Sequence, residues 1–199
     1  MVHSFLDSRF DAKKNLVPFV PRAEQLKLFR EMHSRNFLPK ARKLGMSTAI
    51  VLIFLDRCVW AHPDRPCEAA NIDYTEVDAI AKLEIARVAW LNGPKHPDPL
   101  IADIWRGIHA RHPLVTDNAG ELRWSNGSRQ RAATSTMGTT PSLMHVSELG
   151  PLAAQYPDRA RKITRGSFND VAAVGMIFVE TTMEGGTFGE CGAIFILAM

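Results

Sequence analysis

Residues 40 to 48 run Lys40-Ala-Arg-Lys-Leu-Gly-Met-Ser-Thr48, a phosphate-loop pattern whose lysine stands at the start rather than the end. The common GxxxxGKS/T loop cradles phosphates on backbone N–H groups, sets a lysine on the outer phosphates and offers a Ser/Thr hydroxyl to magnesium. Gly45 and Ser47 keep their places in that pattern, Lys40 stands where the first glycine belongs, and Met46 stands where the lysine belongs. The flanks give the pattern weight. An extended run, Asn36 to Pro39, precedes it, and the apolar, helix-like stretch Ser47 to Cys58 follows. Strand, glycine turn and helix N-terminus together make an anion site, because first-turn amides are unpaired and the helix dipole favours negative charge. A basic, glycine-containing turn before a buried helix is the plain alternative, so the loop needs partners further along the chain.

Two stretches qualify. Ser142-Leu-Met-His-Val-Ser-Glu-Leu-Gly150 is an apolar run that ends in an acid. A buried strand that delivers a carboxylate to its C-terminal end can orient an attacking water and take its proton, and Glu148 has that placement. Glu148 as a loop glutamate after a core strand is the other reading. Gly175-Met-Ile-Phe-Val-Glu-Thr-Thr-Met-Glu-Gly185 is a second apolar strand ending in hydroxyls, an acid and a glycine. Its Thr181 and Thr182 could face a terminal phosphate, or simply close an ordinary strand and turn.

The succession of these motifs carries a resemblance. KARKLGMST, then NIDYT at 71 to 75, SNGS at 125 to 128, TSTMGT at 134 to 139, LMHVSELG at 143 to 150, RARKITRGS at 159 to 167 and VETTMEG at 179 to 185 resemble the large terminase subunit of tailed bacteriophages. The similarity is to the ATPase domain of that DNA-packaging motor and runs from about Arg22 to about Glu190. It implies an α/β fold of the P-loop NTPase type, a mostly parallel β-sheet covered by helices in three layers. Residues 1–21, which end in Val17-Pro-Phe-Val-Pro21, read as an extended N-terminal arm. The resemblance also implies a terminase-like ATPase domain over 22–199, incomplete at its C-terminus. Bound ATP and Mg2+ follow from it.

Site roles carry over residue by residue. The nucleotide loop would comprise Lys40, Ala41, Arg42, Lys43, Leu44, Gly45, Met46, Ser47 and Thr48, with Lys40 as the phosphate lysine and Arg42 as a phosphate or trigger arginine. Ser47 would hold magnesium, with Glu148 acting on it through water. Glu148 would be the catalytic carboxylate, Thr181, Thr182 and Glu184 would couple hydrolysis to movement, and Gln25 would fall near the adenine-recognising glutamine. The resemblance further implies double-stranded DNA, the small terminase subunit and the portal protein as partners, a homo-oligomer, and the cytoplasm of a bacterial host cell. Two residues depart from the pattern. Ser147 occupies the position where many such ATPases have a magnesium-orienting aspartate, and Pro39 sits in the strand feeding the loop, where it removes a ladder donor.

Length is the third departure. Full large subunits carry a nuclease domain after the ATPase domain. Here Glu190 is the one acid after Glu184, so no nuclease activity is expected and the chain reads as a truncated product or a cloned fragment. A nucleotide- or DNA-binding prophage remnant without turnover is the alternative function.

Composition fits one globular domain. The chain has 199 residues, 46% of them hydrophobic, and a formal net charge of +3, too small to establish a polyanionic partner by itself. Basic residues cluster at Arg123 to Arg131 and Arg159 to Arg165, either solvated faces or contacts for DNA phosphates, whose strength would fall with salt. Three cysteines without paired spacing point to a reducing compartment. The longest apolar run, Ala49 to Leu55, is too short to span a bilayer. His109 and His112 lack metal-site spacing and are expected at the surface.

Periodicity predicts helices at Ala23–Arg35, at Glu76–Trp90 behind a Thr75 cap, at Asp98–His112 and near Leu152–Ile163. Ala69–Tyr74 reads as a strand and Leu114–Asn118 as a loop. Glu121–Trp124 and Ser128–Thr134 flank Ser125-Asn-Gly127, the sharpest hairpin signal in the chain.

Overall fold

The computed structural model describes residues 6–10, 16–40, 43–135, 139–171 and 174–182. Two short strands, β1 (Leu6–Phe10) and β2 (Leu16–Pro18), pair antiparallel apart from the main sheet. Then follow α1 (Ala23–Glu31), β3 (Arg35–Lys40), α2 (Met46–Trp60), β4 (Glu68–Ile72), α3 (Glu76–Asn92), α4 (Pro99–Arg111), β5 (Leu114–Asn118), β6 (Glu121–Trp124), β7 (Arg129–Ala133) and β8 (Leu143–Ser147). Helices α5 (Leu149–Gln155) and α6 (Pro157–Lys162), a π-helical turn (Ile163–Ser167), α7 (Phe168–Asp170) and β9 (Met176–Thr182) complete the described chain.

The seven strands β3 to β9 form one sheet in the order β3-β9-β8-β4-β7-β6-β5. The four pairings from β3 to β7 are parallel, and the two that add β6 and β5 are antiparallel. The fold is therefore α/β with a mostly parallel sheet. Pro39 is tolerated because β3 is an edge strand, which leaves one side of its backbone without ladder bonds to lose.

Period-2 alternation divides the sheet's side chains between two cores. Ile72, Met144, Val146, Ile177 and Val179 join Leu149, Leu152, Ala160, Ile163 and Phe168 of the α5–α7 segment. Ala69, Leu143 and Phe178 point the other way, into a larger cluster built on α2, α3 and α4. Helices thus cover both faces, giving three layers. Helix α2 is apolar on every side from Ala49 to Leu55, as a helix enclosed by neighbours must be. Each large side chain so buried contributes about 1.5–3 kcal/mol of transfer free energy.

Local chemistry sets the boundaries. Thr75 accepts a hydrogen bond from Asp78 N at 3.1 Å and caps α3, and Asp98 accepts one from Leu100 N at 2.9 Å and caps α4. The 125–128 turn forms the expected hairpin, with Gly127 at φ 84°. Asn126 of that turn donates to the carbonyls of Cys58 and Ala61 at 3.0 and 3.1 Å, closing the C-terminus of α2.

Four expectations need correction. Leu114–Asn118 is a strand rather than a loop. Asn118 Oδ1 accepts from Gly120 N and Glu121 N at 2.9 Å each, which turns the chain back and pairs β5 with β6, so its polar residues sit on an exposed edge. The first helix stops at Glu31 and Arg35 opens β3, because Asn36 holds the intervening turn through His33 N and His33 O. The segment 152–163 divides at Pro157, whose ring disfavours helical geometry at Tyr156, found at φ −135° and ψ 69°. His109 does not stand in solvent. It stacks on Trp90 with centroids 3.9 Å apart and shares a 3.0 Å contact with the Trp90 carbonyl, and burial holds its imidazole below the usual range.

Candidate active site

The C-terminal ends of parallel strands β3, β9 and β8 lie side by side, the edge at which open α/β sheets bind ligands. The basic loop leaves β3 there. Gly45 adopts φ 70°, ψ 23° and caps α2, whose first amides face the loop. Lys43 is also left-handed, at φ 68°, and its carbonyl accepts from Arg22 at 2.7 Å. Gln25 lies beneath the loop, 3% exposed, its Nε2 donating to Gly45 O at 2.6 Å and its Oε1 accepting from Arg22 N at 2.8 Å. A Cβ on Gly45 would come within 2.9 Å of that Nε2. The glutamine therefore grips the loop glycine and fixes the turn.

Met46 is buried, and Leu44, Ser47 and Thr48 are half-buried. Replacing the usual lysine by Met46 is thus compatible with packing, because that position points into the core. Lys40 ends β3, its backbone in register with Thr182. Ala41, Arg42 and Glu184 lie outside the described residues, as do Thr136, Met137 and Gly138 of the TSTMGT motif and the apolar tail after Cys191.

Glu148 follows β8 directly and caps α5 with φ 52°, ψ 46°. Its Oε2 accepts from Thr182 N at 3.0 Å and its Oε1 from Thr182 Oγ1 at 3.2 Å. Thr181 Oγ1 accepts from Gly150 N at 2.9 Å, and a Cβ on Gly150 would stand 2.5 Å from that oxygen. Glycine at 150 lets α5 close onto β9. The acid and the two threonines, read separately in the sequence, are one bonded unit.

Among the described non-glycine residues, Lys43 and Glu148 are the two with positive φ. Such conformations cost of order 1–3 kcal/mol each and gather at functional sites. Here both flank one sheet edge.

One residue escaped the sequence reading. Glu180, inside β9, is fully buried and accepts hydrogen bonds at Oε1 from Ser47 Oγ and, at 3.0 Å, from Ser147 Oγ. His145 Nε2 lies 3.2 Å from the same oxygen. The available signal was a charged residue within an otherwise apolar strand run, two positions after Phe178 and so on the same face. The basic cluster at 159 to 165 is also divided in role. Arg159 donates to the carbonyls of Tyr74, Asp73 and Thr134 at 2.6 to 3.2 Å, tying α6 to the ends of β4 and β7. Arg161, Lys162 and Arg165 line an open cavity of about 720 Å³ beside Thr134 and Ser135. Among the described residues no helix is long and apolar enough to cross a membrane, and no cluster of His, Cys, Asp and Glu is arranged to hold a metal by itself.

No protein-family model matches the chain, and no curated protein is significantly similar to it. Solved structures are similar. The large terminase of bacteriophage HK97 aligns with a TM-score of 0.61 at 14% identity, covering 90% of this chain and 36% of the HK97 protein. The ATPase domain of the large terminase of Thermus phage P74-26 aligns with a TM-score of 0.52 at 15% identity, over 85% of this chain and 68% of that one. The present chain thus spans about a third of the HK97 protein's length. With its mostly parallel sheet in this strand order, it has the fold of the ATPase domain of phage large terminases.

Proposed function

We propose that the chain is the ATPase domain of a phage DNA-packaging large terminase, binding ATP with magnesium at the 40–48 loop and hydrolysing it to drive DNA movement. The observation that carries this reading is the pair of left-handed residues, Lys43 in the loop after β3 and Glu148 directly after β8, at one C-terminal sheet edge. Residues 22–199 form the ATPase unit in this reading, and residues 1–21 an arm, which the separate β1–β2 pairing supports.

The donor set suits the cofactor. Loop amides at the α2 N-terminus suit phosphate oxygens, Lys40 and Arg42 supply positive charge, and the hydroxyl of Ser47 suits a hard cation that prefers oxygen. Magnesium, when bound with the nucleotide, neutralises charge on the phosphate oxygens. The chain's own residues do the rest. Glu148, held by Thr182, takes a proton from water as the water oxygen bonds to the terminal phosphorus and the bond to the bridging oxygen breaks. Loss of the terminal phosphate changes what Glu148 faces, and the Glu148–Thr182 bonds offer a route by which Thr181 and Thr182 of β9 move in response, Glu184 sharing the coupling role in this reading. The Glu148–Thr182 hydrogen bonds hold the carboxylate at the strand end, where the turnover reading requires it.

Arg161, Lys162 and Arg165 are the surface best suited to double-stranded DNA phosphates. The small terminase subunit, the portal protein and further copies of the chain are the remaining partners in this reading, and the host cytoplasm is its place of action. The loop assignment is tested by Lys40→Ala. Removing a charge-assisted phosphate contact costs roughly 1.5–3 kcal/mol, so ATP affinity measured by calorimetry falls about tenfold or more. Unchanged affinity would overturn the role of Lys40.

A further inference from the structure

The geometry points to Glu180 as the carboxylate that positions the magnesium-binding hydroxyl, in place of the aspartate that Ser147 does not supply. This inference rests on the nucleotide reading above and extends it to a residue on a different strand.

Three facts lead there. Ser147 of β8 stands in register with Glu180 of β9, so an acid missing from one strand is present on the next at the same level. Glu180 Oε1 accepts from Ser47 Oγ and from Ser147 Oγ, joining the loop helix α2 to both strands through one oxygen. The carboxylate is fully buried beneath α2, a placement that costs several kcal/mol unless neighbouring donors or a cation compensate it.

The chemistry follows from the hydroxyl. Ser47 has one proton and two lone pairs. Committing the proton to Glu180 leaves the lone pairs available, and a hard cation accompanying a nucleotide at the loop would take one. Glu180 acts as a positioning residue. His145 lies against the same oxygen, its Nε2 3.2 Å away and its ring edge-on to Phe54 at 6.4 Å. Ser147 is the second brace. An aspartate at 147 would bring a second acid against Glu180, which explains why serine is compatible here.

A purely structural role, in which Glu180 only pins α2 to the sheet, makes a different prediction, and nearly isosteric Glu180→Gln separates the two. The readouts are the affinity for a non-hydrolysable ATP analogue in EDTA and in magnesium, and manganese binding to the analogue-loaded protein by electron paramagnetic resonance. With Glu180→Gln, affinity in EDTA stays within about twofold of the unaltered chain, whereas manganese affinity falls roughly 10- to 100-fold, the usual effect of removing a residue that orients a metal ligand. The double variant Ser147→Asp/Glu180→Gln returns a carboxylate to the same level of the sheet and recovers most of the manganese affinity. Unchanged manganese affinity in Glu180→Gln would overturn the assignment. So would an equal loss in EDTA and in metal, without recovery in the double variant, which marks a structural brace. An unaltered chain that binds no nucleotide would instead overturn the nucleotide reading itself, and this inference with it.

Discussion

Glu148→Gln lowers magnesium-dependent phosphate release from ATP by about two to four orders of magnitude, the usual worth of a positioned general base, and leaves ATP affinity near that of the unaltered chain. The amide keeps the shape of the carboxylate. Its oxygen still accepts from Thr182 N, now 3.0 Å from Glu148 Oε2, so the left-handed turn at 148 and the seat of α5 survive. Only the capacity to take a proton is lost. Single-turnover phosphate release against calorimetric affinity separates the two effects. If binding falls as far as turnover, Glu148 holds the nucleotide or the fold rather than activating water.

Phe178→Ala destabilises the chain by about 3–5 kcal/mol, the range for emptying a buried aromatic site. Phe178 is fully buried in β9, packs edge-on against Phe54 of α2 with centroids 5.7 Å apart, and lies two residues before Glu180 on the same face. Its ring supports the helix whose first turn carries Ser47. Urea unfolding reads the effect as a lower midpoint with unchanged slope, and Val115→Ala, on the exposed edge strand β5, serves as a control within about 0.5 kcal/mol. A loss below about 1 kcal/mol for Phe178→Ala would mean that α2 is not seated on β9.

Signals confined to a few neighbouring residues were legible in the sequence. The glycine turn at 45, the cap at Thr75 and the hairpin around Gly127 each rest on backbone conformations or hydrogen bonds that near neighbours impose. Non-local pairing was harder to read. Leu114–Asn118 lacks a strong alternation and becomes a strand because β6 offers it a partner. His109, which carries no metal spacing, is half-buried because α4 lays it on Trp90 of α3. The insertion of β9 between β3 and β8 joins segments more than 130 residues apart, and it brings Glu180 to Ser47. In the sequence Glu180 is an acid inside an apolar strand, without a spacing motif that links it to the loop. Glu148 was legible because its place at a strand end carries chemical meaning alone, while its bonds to Thr182 required the fold.

Calorimetric titration of the unaltered chain with ATP in magnesium decides whether this sheet edge binds ATP. Saturable one-to-one binding, weakened when EDTA removes the magnesium and competed by ADP, is the predicted result. A flat titration with folded protein at concentrations well above the micromolar range would contradict it.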